Sequence, residues 1–251
     1  MPSAPERYVD WINQHVGFNP RGQGHSDFLT SQIFEDLDAR CPTIDQHFRD
    51  NRLRLVPNVG TTGKRHVSPL AAAAKENGDD DEINPNIDGV VLQVAPFGDV
   101  AAARAVITLE NKTIMTAHGK ARTNRFNDAR AYATHVHSSS AATIAAFTVV
   151  VNASPTYKNP DAFARAALSS GINQPGAIEG TFRVFESMRL RETTTGNVGR
   201  CEAVYILPVH YDGLSATARL VTGPPAPAAS SPFGYDSFLE RICRLYRERF
   251  G

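Results

Sequence analysis

Two apolar segments constrain this chain more than anything else in it. Gly89 to Ala95 is rich in Val and Leu, and Ala105 to Asn111 contains Val106, Ile107, Thr108 and Leu109. Each is apolar at successive rather than alternate positions, so each, as a strand, has two faces to bury. A pair of this kind requires a sheet covered on both sides. Pro96, Phe97, Gly98 and Asp99 stand between them and predict a turn. An antiparallel hairpin centred on Asp99 places Leu92 opposite Val106, Val90 opposite Thr108 and Asp88 opposite Glu110, and a bulge would shift that register by one.

Helical patterns surround this hairpin. Pro5 to Val16 predicts a short helix carrying Tyr8, Trp11 and Ile12, followed by a Gly-containing turn from Arg21 to His25. Ser26 is then expected as an N-cap, and Leu29, Ile33 and Leu37 recur every four residues, which predicts a helix over Asp27 to Ala39 ended by Cys41-Pro42. Residues 58 to 87 predict a long loop with an acidic run, Asn77 to Glu82, and a single helical turn at Ala71 to Ala74. Lys120 to His137 has an apolar stripe of Phe126, Ala129, Ala133 and Val136. Ala145 to Asn152 and Glu202 to Val209 predict strands, and Pro160 to Leu168, Ile178 to Arg191 and Tyr235 to Arg249 predict helices. Thr222 to Gly234, rich in Pro, Ala and Ser, suggests a linker. Helices interleave with strands without an internal repeat, so the fold class expected is α/β (α+β), a central mixed β-sheet flanked by helices, in a single domain over residues 1–251.

Composition excludes several function classes. The 251 residues carry 26 Lys+Arg and 26 Asp+Glu, so there is no global charge to draw in nucleic acid or a membrane surface; such binding needs a local patch. No run of 18 apolar residues spans a bilayer, and Met1 to Asp10 does not resemble a signal peptide, so a cytoplasmic location is expected. Cys41, Cys201 and Cys243 are odd in number and far apart, and predict reduced thiols without zinc-ligand spacing.

The chemistry concentrates in Ile87-Asp88-Gly89 and Glu110-Asn111-Lys112. Side chains two apart on a strand share a face, so Glu110 and Lys112 point the same way, and the hairpin brings Asp88 beside them. Two carboxylates and an ammonium then meet at the end of an apolar sheet, where burying charge is costly without compensation. A divalent cation between Asp88 and Glu110 compensates, and hard oxygen ligands suit Mg²⁺. Lys112 would lie beside the attacking water or the charge developing on phosphorus. Next along the chain is a basic stretch. Arg104 to Arg130 holds six basic residues against two acids, a local charge of +4 in a neutral protein. His118, Lys120, Arg122, Asn124 and Arg125 follow the strand directly and are expected to meet phosphates, with Asn124 and Arg125 also of types that read adenine and guanine edges.

An acid at the start of one strand and a Glu-x-Lys tripeptide on the next resemble the PD-(D/E)xK nuclease superfamily, to which many type II restriction enzymes belong. Asp88 matches the first acid, Glu110 the second and Lys112 the lysine. The motif's proline is displaced, since Ile87 precedes Asp88 and Pro85 lies three residues back. The resemblance covers a core from about residue 26 to 152, leaving 153–251 as a C-terminal elaboration, and its frequent accessory acid on the preceding helix corresponds to Glu35. It implies a restriction-endonuclease-like core, Mg²⁺-dependent hydrolysis of double-stranded DNA at a specific sequence, metal ligation by Asp88 and Glu110, and a homodimer if the site is palindromic. A repair or structure-specific nuclease, or a non-catalytic nucleic-acid or partner-binding module, are the alternatives. Competing motifs are weaker. His135 and His137, two apart on a helix, diverge. Gly60 to Lys64 lacks phosphate-loop spacing, and His210-Tyr211-Asp212 suggests a turn. Arg183, Arg189 and Arg191 are expected at the surface.

Overall fold

The nine residues of Ile144–Asn152 are all buried, and the molecule is built around them. A computed structural model of the chain describes residues 2–15, 23–59, 87–93, 104–158, 170–213 and 218–251. In order along the chain the elements are α1 (Ala4–Gln14), α2 (Gln23–Arg40), α3 (Pro42–Arg49), β1 (Leu53–Val59), β2 (Ile87–Gln93), β3 (Arg104–Ile114), α4 (His118–Ser139), β4 (Ile144–Asn152), β5 (Thr156–Lys158), β6 (Ser170–Ile172), α5 (Pro175–Glu186), β7 (Ala203–His210), β8 (Arg219–Leu220) and α6 (Tyr235–Phe250). The expected turn at Pro96 to Asp99, the Gly60 to Lys64 segment, the acidic run and the Pro160 to Leu168 helix lie outside the described residues.

Six strands form one mixed sheet in the order β1-β2-β3-β4-β7-β8. β1, β2 and β3 pair antiparallel in turn, β3, β4 and β7 run parallel, and β8 closes the edge antiparallel to β7. β3 and β4 are joined through α4, as a parallel pair requires. Because β4 and its neighbours are apolar on both faces, each face receives helices. Leu29, Ile33 and Leu37 of α2 and Phe238, Ile242 and Leu245 of α6 pack with Ile107 and Leu109 on one side. Ala129, Ala133 and Val136 of α4 and Phe182 and Phe185 of α5 pack with Val90, Phe147 and Val149 on the other. The C-terminal third adds β7 and β8 to the same sheet. No helix among the described residues is long and apolar enough to cross a membrane.

Several local expectations are corrected. α2 begins at Gln23, so Ser26 lies inside the helix instead of capping it. The hairpin register pairs Val90 with Thr108 as expected, but a bulge after Val91 sets Leu92 opposite Ala105 rather than Val106. α5 ends at Glu186, and α3 and β1 appear where no periodicity announces them. The Thr222 to Gly234 stretch is not a free linker: Phe233 is buried, and its carbonyl accepts the Ile206 amide of β7 at 3.2 Å.

The cysteines also depart from expectation. Cys41 and Cys243 form a disulfide across a Cα–Cα distance of 5.6 Å, joining the end of α2 to α6, while Cys201 is free and buried. A sequence separation of 202 hid a pairing that only the packing of α6 against α2 creates.

Polar side chains fix the helices at defined heights. The Asp36 carboxylate accepts the Ala4 amide, the Tyr235 hydroxyl and Arg7, which ties α1, α2 and α6 together. At the amino ends of the parallel strands lies a buried charge cluster. Glu202 binds Arg191 at 2.8 Å, Arg249 at 3.0 Å, His137 at 2.9 Å and the Ala145 amide at 3.0 Å. Burial raises the Glu202 carboxyl, but the bond and charge of His137, the Ala145 amide and Arg191 outweigh it and hold the carboxyl below its usual range. Arg191 is therefore an interior residue, contrary to expectation, whereas Arg183 and Arg189 are exposed. His137 also contacts the Val198 carbonyl at 2.7 Å, so both its ring nitrogens are used in holding this cluster.

Candidate functional site

The carboxyl end of β3 opens into a cavity of about 470 Å³ between the first turns of α2 and α4. Ligand sites of α/β sheets favour this end of parallel strands, where the connecting loops and helix N-termini converge. The chain leaves β3, passes through Met115 and Thr116, and turns into α4 at Ala117, whose φ of 52° lies in the left-handed region. A non-glycine residue there stores strain of about 1–3 kcal/mol, which the surrounding packing must hold. The 22-residue α4 has no side-chain cap, so the positive end of its dipole meets the cavity that Ala117, Lys120 and Ala121 line.

Asp88, Asn111 and Lys112 form the floor. The β2–β3 register that pairs Gly89 with Leu109 carries Asp88 alongside Glu110. The Asp88 carboxylate accepts the Asn111 amide at 2.6 Å. Glu110 sits deeper, 4% exposed, and its Oε1 binds the Lys112 ammonium, while Oε2 is buried with no hydrogen-bond partner among the described residues. Burial and then the charge of Asp88 push the Glu110 carboxyl up to about 8, with Lys112 opposing them. On the α4 side Tyr132 donates to Thr108 at 2.7 Å, one alternate position before Glu110. Its hydroxyl is pushed well up by burial, with smaller contributions from Glu110 and Asp88.

On the other face of β3, the Asn111 side chain reaches α2. Its Nδ2 donates to the Thr30 hydroxyl at 2.8 Å and to Ser26 Oγ at 3.3 Å. Such closeness requires Gly89 on the neighbouring strand. A Cβ there would lie 2.5 Å from Thr30 Cγ2 and 3.1 Å from the Phe34 ring. His25 and Ser26 complete the α2 wall of the cavity, and His25 Nδ1 lies 3.4 Å from the buried Tyr8 hydroxyl.

The residues expected from sequence divide into those that meet here and those that do not. Asp88 and Lys112 line the cavity, with Lys120, Asn124 and Arg125 on the α4 wall, and Arg125 pairs with Asp128 at 3.0 Å; Glu110 does not line it and joins them through its bond to Lys112. Glu35 does not join them. It lies on the outer face of α2, its side chain 63% exposed and 3.7 Å from Arg7. The rotation of α2 that buries Leu29, Ile33 and Leu37 turns Ser26 and Thr30, rather than Glu35, to the strands. His118 is buried and cannot face a phosphate. Thr181 gives its hydroxyl proton to the Ala177 carbonyl and so accepts from His118 Nδ1 at 3.1 Å, and burial holds the imidazole down to about 4. Arg122 lies across Gly180 of α5. Sequence reasoning missed His25, Thr30 and Asn111 as site residues. The available signal was a polar residue inside an apolar strand and two hydroxyls one helical turn apart.

The donor set fits a hard cation. Asp88 and Glu110 present carboxylate oxygens, and the orphaned Glu110 Oε2 is the atom that such an ion would satisfy. Among the described residues no three or more His, Cys, Asp or Glu side chains gather, so an ion here would rest on two carboxylates with water completing its shell, as Mg²⁺ commonly does. Comparison with protein-family models, with curated proteins and with solved structures finds no match.

Proposed function

We propose that this chain is a Mg²⁺-dependent DNA endonuclease of the PD-(D/E)xK type, acting on double-stranded DNA at a specific sequence as a restriction enzyme. The observation that carries the reading is the meeting of Asp88, Glu110 and Lys112 beside an open cavity, with Glu110 buried and one of its oxygens unsatisfied. The strands support it too: Asp88 and Glu110 lie on the neighbouring antiparallel strands β2 and β3, and α4 follows the Glu-x-Lys strand directly and packs on the sheet.

In this reading Asp88 and Glu110 hold the ion. When bound, Mg²⁺ supplies positive charge to the phosphate and promotes deprotonation of water. Lys112 orients the attacking water and stabilises charge building on the phosphoryl oxygens. Lys120, Arg125 and the amino end of α4 hold the phosphate in register, and Asn124 is close enough to contribute. The uncharged whole and the cationic cavity wall agree with local rather than global attraction of DNA. A homodimer would present two such sites to a palindrome.

The test is incubation of a mixed-sequence plasmid with and without Mg²⁺, followed by sequencing of the ends. The expected result is Mg²⁺-dependent cutting at recurrent sequences. Asp88→Ala and Lys112→Ala should each abolish cutting while leaving DNA binding measurable. Undiminished cutting by both variants would overturn the assignment. Cutting confined to branched substrates would point to a structure-specific nuclease, and DNA binding without any cutting to a non-catalytic module.

A further inference from the structure

We infer that Asn111, the residue between Glu110 and Lys112, is a positioning residue that sets both carboxylates by fastening the end of β3 to α2 through Thr30. This rests on the nuclease reading above and goes beyond it, because it assigns a role to the middle position of the tripeptide and to a helix hydroxyl. Asn111 works in two directions at once. Its backbone amide holds the Asp88 carboxylate at 2.6 Å, while its side chain holds the Thr30 hydroxyl at 2.8 Å and Ser26 Oγ at 3.3 Å. Any movement of the strand end therefore moves Asp88, Glu110 and Lys112 together relative to α2.

Burial gives these bonds weight. Asn111 is 4% exposed and Thr30 1%, so the bond between them is made almost wholly out of solvent and losing it leaves a buried donor to satisfy. An apolar residue would suit position 111 by its surroundings, since the buried Leu109 lies on the same face of β3. An amide costs more to bury than leucine unless its bonds are made, and here Nδ2 makes them to Thr30 and Ser26, while Oδ1 has no hydrogen-bond partner among the described residues. The methyl of Thr30 serves packing instead. It lies over Gly89, where a Cβ would come within 2.5 Å of it. The two branches of Thr30 thus separate function from packing. The hydroxyl fixes the strand, and the methyl fills the contact between α2 and β2.

That division supplies the experiment. Thr30→Val keeps both branches in shape but removes the hydroxyl; Thr30→Ser keeps the hydroxyl and loses the methyl. Cleavage of the plasmid would be followed for wild type and both variants over a range of Mg²⁺, with thermal unfolding measured beside it. Thr30→Val should lower kcat by about ten- to a hundredfold, the scale of a small misplacement of reacting groups, with KM within about twofold and a higher Mg²⁺ concentration at half-maximal rate. Thr30→Ser should keep kcat and the Mg²⁺ requirement within about twofold of wild type. Asn111→Leu should reproduce the Thr30→Val kinetics. A Thr30→Val enzyme with wild-type kcat and Mg²⁺ requirement, or a Thr30→Ser enzyme more impaired than Thr30→Val, would overturn the inference and leave the nuclease reading standing. A wild type that cuts no DNA with Mg²⁺ fails at the nuclease reading itself, and the inference falls with it.

Discussion

Glu110 is where burial and charge oppose each other most openly. The folded protein raises its carboxyl to about 8 through burial and the nearby Asp88, above the ordinary 4.5. Between those values the native state keeps a proton that the unfolded chain gives up. The sign follows: the contribution to stability is complete below about 4.5 and is lost as pH rises through 8. Denaturant unfolding in a chelating buffer at about pH 5 and about pH 8 should therefore show wild type losing more stability than Glu110→Gln. Equal losses would remove the buried-carboxyl account. His118 illustrates the opposite use of burial at the residue scale. It is a basic residue in a basic stretch, yet burial beside Thr181 holds its ring neutral, and it contributes packing instead of charge.

At the scale of elements, the decisive contact is that of α2 with β2 and β3. Ser26, Thr30, Leu29, Ile33 and Leu37 share the buried side of the helix, and Gly89 lets it come close enough for Thr30 to reach Asn111. Gly89→Ala places a methyl against Thr30 and Phe34, and an overpacked contact of this type costs about 1–3 kcal/mol. Urea unfolding of Gly89→Ala should show that loss, with α2 displaced from the strands. Wild-type stability in this variant would mean that the helix is not held so near. The hairpin was legible in the sequence because apolar patterning and turn chemistry act locally, and Val90 does face Thr108. The bulge after Val91 was not legible, since any of several positions can absorb one residue. β1 was missed for a related reason: Arg54, Pro57 and Asn58 interrupt its apolar pattern, and pairing with β2 rather than its own composition makes it a strand.

For the whole molecule, two long-range features hold the C-terminal third to the rest. Glu202 gathers Arg191, His137 and Arg249 from three different segments, and Cys41–Cys243 fastens α6 to α2. Closing so long a loop removes much freedom from the unfolded chain, and loss of such a bridge typically costs about 2–4 kcal/mol. Thiol titration of the denatured, unreduced protein should find one free cysteine, Cys201, and Cys41→Ser should lower thermal stability. Three titratable thiols would contradict the bridge. Neither feature was legible beforehand, because charged residues read singly suggest a surface, and cysteines read singly suggest thiols.

The amino-acid sequence alone determined what depends on neighbours a few residues apart. The 2-residue period of a strand put Glu110 and Lys112 on one side, and the four-residue recurrence of Leu29, Ile33 and Leu37 made α2 a helix. Tertiary structure decided everything that depends on the rotation and approach of one element against another. It turned Thr30 rather than Glu35 to the strands and buried His118 while leaving Lys120 and Arg125 at the cavity. It also brought Cys243 to Cys41. The reason is that a helix's own pattern fixes which residues share a face, whereas the partner it packs against fixes what that face meets.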